Sequence, residues 1–248
     1  MMERDSFTTY PPLDTLKRVT DDVWIVDGPA IRFGPPLLKM PFSTRMTVIR
    51  MGDDLLIHSP TPLTPGLKTE VEGLGRVRWI VGPNRLHYWW IPDWHRAFSR
   101  SEVYLAPRIR EQAGGRIDFD CHALDRDRGY PWDEAVATLR VESRYMTEVV
   151  FLHRASGTLV LTDLIENFEP RKLGSFLMRW LTRLGGAQDP DGSMPRDMRM
   201  AYRDKARLRA AVETMIGWNP KRIILAHGRW YDRNGMDELR RAFRWLLG

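Results

Sequence analysis

Leu159-Val160-Leu161-Thr162-Asp163 is the stretch on which the reading of this chain turns. Apolar, β-favouring residues run into a carboxylate, the pattern of a buried strand that delivers a polar side chain at its C-terminal end. Just upstream lies a second apolar run, Glu148 to His153. The two are joined by Arg154-Ala155-Ser156-Gly157, a turn, so they read as a hairpin. Downstream, Ile223-Ile224-Leu225-Ala226-His227-Gly228 repeats the design with an imidazole at the strand end. Sheets hold such strand ends rigid while the loops beyond them open a crevice, so these are sensible places for chemistry.

The same style extends outward. Ala135 to Val141 alternates as a strand. Asp22 to Asp27 is another. Arg45 to Met51 and Asp54 to Ser59 form a hairpin across Gly52-Asp53. Arg76 to Val81 is a strand ending at Gly82-Pro83-Asn84, and Val103 to Ala106 a shorter one. Helices are expected over Thr64 to Glu72, Pro92 to Phe98 and Leu173 to Leu184. A longer one starts at the N-cap Asp204 and runs through Ile216, and the last covers Met236 to Leu247. Hairpins with helices between and after them, twice over, bury their apolar faces best as two facing sheets with helices outside. The expected division is an N-terminal arm, residues 1–20, and a single domain over 21–248.

Composition narrows the classes. The 248 residues include 43% apolar side chains, enough for a sizeable core. The one cysteine, Cys121, excludes an internal disulfide and a cysteine-rich zinc cluster. The net charge of +6 comes mainly from scattered arginines with no nucleic-acid-binding motif, so a nucleic-acid partner is not expected. The polar N-terminus and the lack of any long apolar run lead to an expected cytoplasmic location.

A third strand end, Ile80 to His87, adds a second imidazole. His87, Asp163 and His227 are ligand types suited to Zn²⁺, with a water completing the tetrahedron. Each also has a plainer reading, Asp163 as a turn cap and His227 as a packed turn residue. Together, in this order and spacing, the three motifs resemble the metallo-β-lactamase superfamily over residues 20 to 248. They are most similar to a branch of it that carries a domain-of-unknown-function label. The resemblance implies an α/β fold, an αββα four-layer sandwich of two mixed sheets with helices outside. The superfamily's Thr-His-x-His-x-Asp-His signature, laid on Val81 to His87, keeps only His87. Gly82, Asn84 and Leu86 stand where His, His and Asp belong. Arg144 falls at the next His, and His58 where a strand usually ends in Asp. The resemblance thus implies a dismantled first metal site and a second that keeps His87, Asp163 and His227.

Three readings stay open at this point. One Zn or Fe ion could sit on His87, Asp163 and His227 and activate a water, with Arg144 and Asn84 orienting an anionic small-molecule substrate. The same residues, catalytic Asp163 included, could instead form a metal-free polar network under a binding pocket. Or the site is a remnant in an interaction module. Tyr88, Trp89, Trp90 and Trp94 are candidates for a pocket wall or for core. His58 is expected to be buried and neutral. His95 is expected on the exposed side of its short helix, and His153 exposed at a hairpin turn. The apolar stripe of 173–184, flanked by Arg171, Lys172, Arg179 and Arg183, is expected to pack on its own sheet. A lid or a contact with a membrane surface through 171–184 is the alternative.

Overall fold

The computed structural model describes residues 7–34 and 39–248. Its first sheet contains β1 (Lys17–Arg18), β2 (Val23–Phe33), β3 (Met40–Met51), β4 (Asp54–His58), β5 (Arg76–Gly82), β6 (Glu102–Leu105) and β7 (His122–Ala123), in that spatial order. The pairs from β1 to β4 are antiparallel and those from β4 to β7 parallel. The second sheet has the order β11-β10-β9-β8, from β8 (Val136–Glu142), β9 (Thr147–His153), β10 (Thr158–Leu161) and β11 (Arg222–Leu225). Its β8-β9-β10 meander is antiparallel, and β11 joins parallel to β10. Both hairpins expected from the turn dipeptides are present, Gly52 and Gly157 taking the left-handed φ of +62° that the turns require.

Strand alternation explains the layers. In β9 and β10, Val149, Phe151 and Val160 point into the core shared with the first sheet. Their neighbours Val150, Leu152, Leu159 and Leu161 point the other way, onto Leu208, Val212 and Met215 of α6 (Lys205–Gly217) and Leu239 of α7 (Gly235–Ala242). On the opposite side, α1 (Pro65–Glu72) and α2 (Ile91–Ala97) press Leu67, Val71, Ile91 and Trp94 onto the first sheet. Helix, sheet, sheet, helix is the αββα order. Asp204 caps α6 by accepting from the Arg207 amide at 2.8 Å. The C-terminal helix is broken at Phe243 into α7 and α8 (Arg244–Leu247).

Three expectations need correction. Residues 1–6 of the expected arm lie outside the described residues, and residues 7–20 are joined to the domain: β1 pairs with β2, and the Thr8 amide bonds the Lys172 carbonyl. His153 is buried, its Nδ1 paired with Ser156 Oγ at 2.9 Å across the hairpin turn. The third concerns α4 (Phe176–Gly185), whose apolar stripe faces outward. Met178 and Thr182 are the residues it buries, whereas Phe176 is 82% exposed. Short α3 (Ile109–Ala113) and α5 (Arg196–Ala201) complete the helices among the described residues. None of these helices is long and apolar enough to cross a membrane.

Candidate metal centre

The three strand-end residues meet. His87, beyond β5, and His227, beyond β11, each present Nε2 to the Asp163 carboxylate at 3.3 Å, one to each oxygen. The three ligand atoms lie within 4.8 Å of one another. Zinc bonds of ~2.0–2.1 Å in a tetrahedron put neighbouring ligand atoms about 3.4 Å apart; each imidazole stands at that spacing from its own Asp163 oxygen, and a shared ion would draw the wider set together.

The imidazoles are held from behind. His87 Nδ1 pairs with Ser59 Oγ at 2.7 Å, and His227 Nδ1 with the Ser43 carbonyl at 2.6 Å. A carbonyl only accepts, so Nδ1 of His227 carries the hydrogen. In the neutral ring, Nε2 then turns a lone pair toward an Asp163 oxygen. Two acceptors face to face need either a second proton on the ring or a cation between them. This donor set, oriented by outer partners, is what a metal site requires.

Asn84 organises the carboxylate. Its amide nitrogen donates to Asp163 Oδ2 and to Thr162 Oγ1, while its oxygen accepts from the amides of Leu86 and His87. Glu148, fully buried at the start of β9, accepts from the amides of Thr162, Asp163 and Leu164 at 2.7, 2.8 and 3.0 Å, fixing the turn that carries the ligand. Sequence reading missed Glu148. A lone acid in the otherwise apolar Val149-Val150-Phe151 strand was the available signal. It also missed Glu166, buried beside the same cleft amid Leu164, Ile165 and Phe168.

Charge and burial compete here. Burial works against the Asp163 charge, yet the imidazoles of His87 and His227 hold its carboxyl well below the usual range. Burial disfavours the His227 imidazolium, but its hydrogen bond to Asp163 raises its pKa overall. Burial and the Asp163 carboxylate push Glu148 up to about 7, and burial pushes Glu166 up to about 8. His58 lies beneath the site, edge-on to Phe151, and burial forces it down to about 3, so it is neutral as expected.

The positions read as lost ligands divide. Gly82 is packed against aliphatic side chains: a Cβ there would lie 2.8 Å from the Ile109 Cδ1 and 2.9 Å from the Ile91 Cδ1, so a larger residue would have to displace both. Asn84 sits in the cluster. Arg144 does not; it is exposed at the β8–β9 turn, its amide bonded to the Ala201 carbonyl, and it is not part of the cleft lining. Its expected role of orienting an anionic substrate is therefore corrected, because the turn points it to solvent and places Tyr145 at the cleft instead.

The cluster opens into a cleft of about 780 Å³. Its walls are mostly apolar, with Phe42, Tyr88, Trp89, Trp90 and Phe168 among them, and the carboxyls of Asp163, Glu166 and Asp197 set into them. Trp94 belongs to the core, its indole donating to the Thr61 carbonyl at 2.7 Å.

This is the architecture of a metallo-β-lactamase fold, and solved structures agree. FIM-1 from Pseudomonas aeruginosa, solved in a mono-zinc form, superposes with a TM-score of 0.60 at 13% identity, covering 94% of each chain. A metallo-β-lactamase from Hirschia baltica gives 0.60 at 13% identity, covering 93% of this chain and 96% of its own. One from Pontibacter korlensis gives 0.57 at 9%, covering 97% and 100%. Among curated proteins, none matches in sequence. Residues 21–177 match the family described as domain of unknown function DUF4336, and the chain belongs to that family.

Proposed function

We propose that this chain is a single-metal hydrolase, a degenerate member of the metallo-β-lactamase-like fold, with one Zn or Fe ion on His87, Asp163 and His227. The supporting observation is the convergence of three anchored ligand atoms, with the bare Nε2 of His227 set against a carboxylate. A divalent ion held there supplies Lewis acidity and a bound water of lowered pKa. The chain's own residues do the rest. Ser59 and the Ser43 carbonyl fix the ring orientations, and Asn84 keeps Asp163 turned into the cleft. Glu166 lies in the cleft wall, and in the ion-free chain burial pushes its carboxyl up to about 8, the protonated form that a general acid needs. The apolar walls suit a substrate with a sizeable apolar part.

A second reading has its own support. With His227 protonated, the imidazolium, Asp163 and Asn84 form a closed network that needs no ion, the floor of a binding pocket. The two are separated by activity and metal content together. Full-length chain purified without added ions is expected to carry about one equivalent of Zn or Fe, and His227→Ala to lose it. Turnover of chromogenic esters or phosphodiesters should vanish in that variant and after chelation, and return with Zn²⁺. Turnover that survives in His227→Ala contradicts the hydrolase reading.

A further inference from the structure

The outward face of α4 is an apolar surface that the metal centre leaves unused. Phe176, Leu177, Trp180 and Leu184 are 82%, 49%, 51% and 47% exposed. At 3.6 residues per turn they fall within an arc of roughly 100°, on the side of the helix away from buried Met178 and Thr182. Arg179 and Arg183, both exposed, sit one turn apart along one border of that arc. Residues 170–188 contain four basic side chains and no acidic one. The apolar surface continues to the cleft, where Leu184, Trp89 and Phe33 form part of the lining and are themselves 47%, 40% and 37% exposed. Met200, on neighbouring α5, is 78% exposed.

We propose that this face docks on an anionic lipid bilayer, with α4 lying in the plane of the interface and the mouth of the cleft turned toward the lipid. Trp, Phe and Leu on one side of a helix with arginine along the border is the arrangement that buries apolar area among acyl chains and keeps cations at the headgroups. The charge pattern selects a bilayer over a second copy of the chain. A two-fold pairing of α4 with itself would set arginine borders together with no acid on the helix to receive them. Docking here does not depend on whether a metal is bound. A substrate with an acyl chain could then reach the cleft without crossing water.

The test is co-sedimentation of the full-length chain with vesicles of phosphatidylcholine and phosphatidylglycerol in equal parts, against phosphatidylcholine alone. Binding is expected at low salt to the mixed vesicles, and to fall as salt is raised. The double variant Phe176→Asp, Trp180→Asp should bind about tenfold more weakly or worse, and Arg179→Glu, Arg183→Glu should respond like added salt. Brominated acyl chains should quench a share of the tryptophan emission that Trp180→Phe, which preserves the apolar face, removes. The proposal is overturned by any of three results: no binding to mixed vesicles at low salt, binding and quenching indifferent to these substitutions, or a native dimer that the double variant dissolves.

Discussion

Asn84 is completely buried and spends its whole hydrogen-bonding capacity at the site, two donors on Asp163 and Thr162 and one oxygen on two backbone amides. The two amides that point at its oxygen fix which way round the side chain sits. In this chain it acts as a positioning residue. Asn84→Ala is therefore expected to destabilise by about 2–4 kcal/mol, because two amide donors lose their acceptor and Asp163 loses a donor. Asn84→Asp sets a second carboxylate against Asp163. It should lower the melting temperature of the chelated protein and narrow that deficit when Zn²⁺ is added, as followed by thermal melts with and without the ion. An equal loss in both conditions contradicts the positioning role. His87, Asp163 and His227 were legible in the sequence because each follows an apolar strand and the three recur in one order and spacing. Ser43 and Ser59 were not: the Ser43–His227 contact joins residues 184 apart, and a serine within or just after a strand carries no spacing signal.

At the level of elements, the site is a product of strand ends, and the least obvious part is the strand that contributes no ligand. Glu148 enters β9 where an amide-rich turn from β10 needs an acceptor, and three backbone donors converge on it. Removing it with Glu148→Ala orphans three buried amides. The expected loss is about 3–5 kcal/mol, measured by denaturant unfolding. A loss under about 1 kcal/mol would mean the turn stands without it. Gly228 shows the same tightness: its φ is +83°, and a Cβ would lie 2.1 Å from the Asn167 carbonyl oxygen. The hairpins and the parallel β10–β11 pair were readable from alternation and turn residues. The orientation of α4 was not. A 3.6-residue period shows which side of a helix is apolar, but burial against the protein is decided by what the rest of the chain leaves open. Here Met178 and Thr182, off the main stripe, are the residues that α4 buries fully, and Leu181 at the stripe's edge packs half-buried beside them.

Across the whole molecule, the two sheets are clamped beside the site by Arg45. Its guanidinium, buried in the first sheet, donates to the Leu225 and Gly228 carbonyls around the end of β11 and pairs with Asp27 at 2.7 Å. The layered fold followed from the order of hairpins and helices, whereas this clamp joins positions too distant in sequence to be foreseen. The buried acids make a global prediction. Glu148 and Glu166 titrate near 7 and 8 in the folded chain, against an ordinary 4.5. Between those limits these two acids bind more protons in the folded than in the unfolded state, so their contribution falls as pH rises; His58, held at about 3 against an ordinary 6.5, works in the opposite direction until the pH passes that ordinary value. His227, raised above 6.5, acts in the same direction as the two acids, its contribution being lost as pH climbs past its folded value. Asp163, held below 3.8, contributes fully throughout this range and loses its share only in stronger acid. The melting temperature of chelated protein should thus decline from about pH 6.5 to pH 8, and Glu166→Gln should flatten the decline. A melting temperature that rises over that interval contradicts the assignment.

The central claim is that one ion is shared by residues 87, 163 and 227. Anomalous diffraction at the zinc and iron edges, from crystals of protein purified without added metal, addresses it directly. The account predicts one peak, bonded to both Nε2 atoms and to an Asp163 oxygen, and absent from His227→Ala crystals. Crystals with no peak there, and with Nε2 of His227 still hydrogen-bonded to Asp163, would contradict it.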